Sequence, residues 1–128
     1  MVDEHDAIRE RIDRSCDLLS SSYRRRVIYT LQRDGPASVG ELAEAVVSTG
    51  IADDRKRAMA SLVHTYLPKL DEFGVVEYDG PNDDVSLDDG ITRLEPLLTA
   101  AAREETQREQ PAFSDVAAPD RLTRNAPD

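Results

Sequence analysis

Apolar residues recur along the first hundred positions at spacings that write a run of helices, broken once by a short alternating stretch. Ile8, Ile12, Cys16 and Leu19 are separated by four, four and three residues, one stripe along a helix. The stripe is narrow, and it fits either its own domain or a second copy of the chain. Tyr23, Val27, Ile28 and Leu31 form a second inward face, preceded by Ser20, Ser21 and Ser22 as candidate caps. Gly35-Pro36 ends that helix, because Gly accepts a left-handed cap and Pro cannot continue a helix.

Ser38 with Glu41 three residues on is a capping box, and it opens a helix whose inward residues are Leu42, Ala43 and Val46, with Val39 a further candidate. Ser48 to Ala52 reads as the turn after it, longer than a minimal helix-turn-helix connection. The longest helix is predicted over residues 53–73, capped by Asp53 or Asp54, with Met59, Leu62, Val63, Tyr66, Leu67, Leu70 and Phe73 as its buried stripe. Pro68 removes one backbone bond and predicts a bend near the last turns, and Gly74 closes the helix. Val75 to Tyr78 and Val85 to Leu87 are strand material around the turn-forming Gly80-Pro81-Asn82-Asp83. Residues 91–110 return to helical spacing through Ile91, Leu94, Leu97, Leu98, Ala101 and Ala102. Thr92 with Glu95 suggests a capping box that places Pro96 in the first turn. From Gln110 the chain has three Pro and few core residues and reads as a disordered tail.

The expected architecture is mainly α with a small β-hairpin wing (α+β). It divides into an N-terminal helix (1–19), a central domain (20–90), a C-terminal helix (91–109) and a tail (110–128). At 128 residues this is one domain with appendages.

Composition alters the picture in two ways. Aromatic residues are 5% with no Trp, so the core must be aliphatic. The formal net charge is −10, from 26 acids against 16 bases. Only Lys56 and Lys69 among those bases are Lys, and acid excess with scarce Lys resembles the proteins of salt-in halophiles. One Cys excludes an internal disulfide and fits a reducing cytoplasm. No apolar run approaches the roughly 18 residues of a membrane span, and the acidic first ten residues do not read as a secretory signal. A cytoplasmic location is expected.

The residues that point to a family are the YRRRVIYTL helix, the ELAEAV helix after Ser38, the run from Arg55 through LVHTYLPKLDEFGVVEYD, and the acidic VSL strand. Over residues 20–88 the chain resembles the winged helix-turn-helix superfamily, and in particular small winged-helix proteins of haloarchaea, with the outer helices flanking the winged unit. The resemblance implies a transcription regulator that binds double-stranded DNA, with the helix from about Asp53 to Phe73 in the major groove. Carried onto this chain, Arg55, Lys56 and Arg57 lie at the start of that helix, and Ser61, His64 and Thr65 lie one to two turns on. Arg24, Arg25 and Arg26 open a preceding helix of a kind whose end rests on the phosphate backbone. Arg is suited to bidentate pairing with guanine and Lys to phosphate neutralisation. A charge run on a helix is equally what a plain solvated face looks like.

The wing departs from the family. Asp79, Asp83 and Asp84 stand where basic residues usually meet phosphate, so this wing is expected to avoid the minor groove or to touch protein. In a multimolar cytoplasm phosphate neutralisation contributes little, since affinity falls by roughly 0.9 log units per neutralised phosphate per decade of salt. Base contacts and dimerisation then have to supply binding, and the apolar stripes of the two outer helices suit a homodimer. Two rivals remain: a winged-helix protein-interaction module whose acidic wing docks a basic partner, and an acidic mimic of DNA. Enzymatic chemistry is not expected. His5 and His64 are far apart with no metal-ligand spacing, no phosphate-binding Gly-rich loop occurs, and no cofactor is implied. Cys16, on an apolar stripe, reads as a buried thiol.

Overall fold

A computed structural model of the chain describes residues 4–109, so the expected tail at 110–128 lies outside the described residues. The fold is mainly helical with one small antiparallel sheet. Two units are distinguished, Met1–Leu98 and Thr99–Asp128. In the first, α1 (Glu4–Leu19), α2 (Ser22–Asp34) and α3 (Val39–Ser48) are followed by a long helical segment in three parts. These are α4 (Arg55–Ser61), a π-helical turn (Leu62–Tyr66) and α5 (Leu67–Glu72). Strands β1 (Val76–Glu77) and β2 (Ser86–Leu87) come next, and α6 (Ile91–Glu109) starts in this unit. The described part of the second unit is the remainder of α6, from Thr99.

The helix starts follow local chemistry. The Ser21 hydroxyl accepts from the Arg24 amide at 3.2 Å. Ser38 and Glu41 form the reciprocal box, with Glu41 N–H donating to Ser38 Oγ at 3.1 Å and Ser38 N–H to Glu41 Oε1 at 2.8 Å. Asp54, one of the two candidates, caps α4 by accepting from the Arg57 amide at 2.8 Å. Gly35 and Gly74 close their helices at φ 81° and 76°, a left-handed conformation that side chains resist.

Pro68 removes one backbone bond, as expected, and the chain accommodates it with a π turn. Lacking an N–H, it cannot donate to the carbonyl four residues back. The turn before it widens to π register, with the Leu67 amide bonding to Leu62 O, and the helix resumes as α5. The α6 helix starts where the spacing predicts, but its cap differs from expectation. The helix begins at Ile91, where Ile91 N–H bonds to Asp88 O and Thr92 N–H to Asp89 O. Thr92 is therefore inside the helix rather than its cap, and Pro96 falls inside the helix rather than in the first turn.

The hairpin pairs Val76 with Leu87 and Glu77 with Ser86. A further antiparallel bridge joins Ala37, between α2 and α3, to Val85, with bonds of 3.0 and 2.7 Å. Two residues carry no strand signal by themselves, so this third segment is invisible in the sequence. The core is aliphatic as composition requires: Val27, Ile28, Leu31, Val39, Leu42, Val46, Leu62, Leu67, Leu70, Val75, Val76 and Val85 are each 2% exposed or less. Ala58, absent from the expected stripe, is fully buried where α4 packs on α3.

The α1 stripe faces the other way from a simple core helix. Leu18, Leu19 and Ser15 are buried, whereas Ile8 and Ile12 are 37% and 50% exposed. Cys16 is exposed, correcting the expectation of a buried thiol. The narrow stripe lacks enough apolar width to cover two faces, and the core takes its C-terminal end. Among the described residues no helix is long and apolar enough to cross a membrane.

Candidate nucleic-acid interface

The helical segment opened by Asp54 has one face on α3 and the core and one face in solvent. Its inner face is set by Ala58, Leu62, Leu67 and Leu70. Lys56, Arg57, His64 and Thr65 are all exposed. The Arg57 side chain is 83% exposed, and its only ion pair among the described residues is a loose 4.0 Å approach to Asp54. Contacts of this kind in full solvent contribute about 0–1 kcal/mol, so Arg57 is held weakly. Lys56 makes no ion pair with a described residue. The π turn carries His64 and Thr65 outward together.

Two other predicted residues are engaged elsewhere. Arg55 Nε pairs with Glu44 Oε2 of α3 at 2.9 Å. Its guanidinium lies against Gly40, where a Cβ would collide with Nη2. Arg55 thus ties α4 to α3, in a pair exposed enough to exchange. Ser61 is half-buried, with its hydroxyl near the Tyr23 phenol of α2. Tyr23 in turn stacks on Tyr66, centroids 4.2 Å apart and planes 8° from parallel. Burial raises the Tyr23 phenol above its ordinary pKa, and the nearby Ser61 hydroxyl partly offsets this.

The arginines at the start of α2 are placed at another task. Arg24 is 8% exposed. It donates from Nε to Leu18 O at 2.7 Å and from Nη2 to Asp17 O at 2.9 Å. Arg25 Nη1 donates to Leu19 O at 2.6 Å. Together they satisfy the last carbonyls of α1, at the negative end of its dipole. Arg26 lies over the Tyr29 ring, 5.5 Å from its centroid. Arg24 therefore stands outside the exposed cluster. The available signal was positional: basic side chains soon after a helix end commonly bond its last carbonyls.

A family model described as a domain of unknown function (DUF7344) matches residues 16–86. The chain belongs to that family. Comparisons with curated proteins and with solved structures gave no match. The DUF7344 region runs from the last turn of α1 to the first residue of β2, so it contains the exposed face of α4 and all of the hairpin except Leu87. The exposed Ile8 and Ile12 precede it, and α6 follows it.

At the hairpin tip Asp79, Asp83 and Asp84 are exposed, and none forms an ion pair with a described residue. No group of three or more His, Cys, Asp or Glu among the described residues is placed to hold a metal ion.

Proposed function

We propose that this DUF7344 chain is a winged helix-turn-helix regulator that binds double-stranded DNA as a homodimer. α3 and the segment from Arg55 would be the helix pair, and the hairpin with its Ala37–Val85 bridge would be the wing. The observation that carries the reading is the bare outward face of the segment after Asp54. Lys56, Arg57, His64 and Thr65 lie there in solvent, backed by a buried aliphatic face that holds the helix rigid. In this reading Arg57 reads or neutralises, Lys56 neutralises, and His64 and Thr65 reach base edges or sugar-phosphate. Arg55 joins them only by leaving Glu44. Ser61 positions the helix against Tyr23 rather than touching DNA.

The dimer follows from apolar residues left in solvent on the outer helices, Ile8 and Ile12 of α1 and Leu97 of α6. A second reading rests on the hairpin tip. Three exposed carboxylates there repel phosphate and attract a basic protein surface, which would make the chain an interaction module.

A gel shift on genomic fragments in molar KCl separates the two. The expected outcome is a retarded complex that weakens by roughly tenfold or more in an Arg55→Ala/Lys56→Ala/Arg57→Ala variant. Retardation unchanged by the triple substitution would remove α4 from the interface. Absence of any complex across a salt series would favour the interaction module.

A further inference from the structure

A second basic feature lies away from the α4 face. Arg11 and Arg14 of α1 and Arg93 of α6 line one open cavity of about 250 Å³. Phe73 is half-buried at its wall, and the nearly covered Leu18, Val75 and Leu94 lie at its base, with the Gly90 backbone alongside. In a chain of net charge −10 most arginines should find carboxylates, yet none of these three forms an ion pair with a described residue. Arg14 lies over the Phe73 ring, 5.9 Å from its centroid. Glu10 is the one acid among the lining residues, so the cavity remains net positive.

Ser15 supplies an independent observation. It lines the same cavity and is 7% exposed. Its hydroxyl makes no hydrogen bond to any described residue. The hydroxyl keeps access to the cavity, where water or a bound oxyanion can supply the partner that the fold does not. The combination is a cationic rim, one unpartnered hydroxyl and an aromatic wall, in a cavity slightly smaller than the roughly 300 Å³ at which ligand pockets usually begin.

We infer that this cavity binds a small organic oxyanion, a carboxylate or phosphate monoester on a compact apolar or aromatic body. The charged head meets Arg11, Arg14 and Arg93 by charge-assisted hydrogen bonds. The body lies against Phe73, at the edge of the nearly covered Leu18, Val75 and Leu94. The inference does not depend on DNA binding, since the cavity is lined by none of the α4 residues. It does place a ligand against Phe73, the cap of the helical segment that begins at Arg55.

The test is an amide-resolved NMR titration of the full chain with benzoate, phenyl phosphate, inorganic phosphate and neutral benzyl alcohol. Saturable shifts at Ser15, Phe73, Gly90 and Leu94 are expected with benzoate or phenyl phosphate. Inorganic phosphate and benzyl alcohol should bind more weakly by roughly tenfold, since each offers only half of the recognition. Arg11→Gln/Arg93→Gln, both at exposed positions, should weaken the organic anions by about tenfold or more with the rest of the spectrum unchanged. Ser15→Ala should weaken them by a few-fold. No localised shifts, equal binding of inorganic phosphate, or undiminished binding by the double variant would each overturn the assignment.

Discussion

Arg24 shows how one side chain decides between two jobs. Its guanidinium is spent on the Leu18 and Asp17 carbonyls and is nearly enclosed. Hydrogen bonds to a charged group contribute about 1.5–3 kcal/mol. Arg24→Ala is therefore expected to lower unfolding free energy by roughly that amount in urea melts. DNA affinity per folded molecule should be unchanged, whereas Arg57→Ala should leave stability intact and reduce affinity. Tyr23 and Tyr78 make a second prediction at this scale. Burial raises both phenols above the ordinary 10.0. A group whose folded pKa is raised stabilises the fold fully below its unfolded pKa and loses that contribution as pH rises through the folded value. Stability should thus hold to about pH 10 on account of these groups and fall above it. Phenolate absorbance should rise late, and Tyr23→Phe should flatten the alkaline loss. Early phenolate formation in the native protein would contradict the burial of these rings.

Within elements, helix starts and stops were legible because a cap is a local hydrogen bond between residues a few positions apart. Ser38 with Glu41, Gly35 and Gly74 needed no distant partner to be read. The cap of α6 departs from the local pattern for a related reason: Thr92 and Glu95 have box spacing, but the turn at Asp88 and Asp89 already leads into the helix. Gly90 explains part of that choice. Its amide bonds to Gly74 O at 2.9 Å, and a Cβ at position 90 would collide with the same carbonyl. Backbone against backbone leaves no flexible atom to move aside. Gly90→Ala is expected to destabilise by about 1–3 kcal/mol and lower the melting temperature, with the hairpin amides losing hydrogen-exchange protection first. A variant as stable as the parent would show that the two backbones can part freely.

For the whole molecule the decisive quantity is the apolar surface left over. Ile8 and Ile12 lie on α1 about a quarter and a third of a turn from the mean direction of the residues that line the cavity, with Ser15 at the shared edge, so an interface and a ligand can use adjoining faces of that helix. The dimer proposal predicts a dimer in sedimentation velocity at molar KCl. Ile8→Glu/Ile12→Glu should convert it to a folded monomer, because neither residue supports the core. A monomeric parent chain would remove the dimer from the proposal, and with it the expectation of a two-fold operator.

By itself the sequence determined the helical spacing, the caps of α2, α3 and α4, the hairpin and an aliphatic core, since each depends on neighbours along the chain or on composition. It also marked Arg57, Ser61, His64 and Thr65 as an outward row with Lys56 on its flank, because helical periodicity assigns faces without knowing what covers them; of these Ser61 is half-buried. Tertiary structure alone decided which charged and polar groups were already occupied: Arg24 on α1, Arg55 on Glu44, Ser61 on Tyr23. It decided that Ala37 pairs with Val85, that Pro68 is absorbed by a π turn, and that Cys16 faces solvent. The same placement brings Arg11, Arg14 and Arg93 around one cavity, from helices more than seventy positions apart in the chain. Such pairings turn on distances between segments remote in sequence, and periodicity carries no information about those.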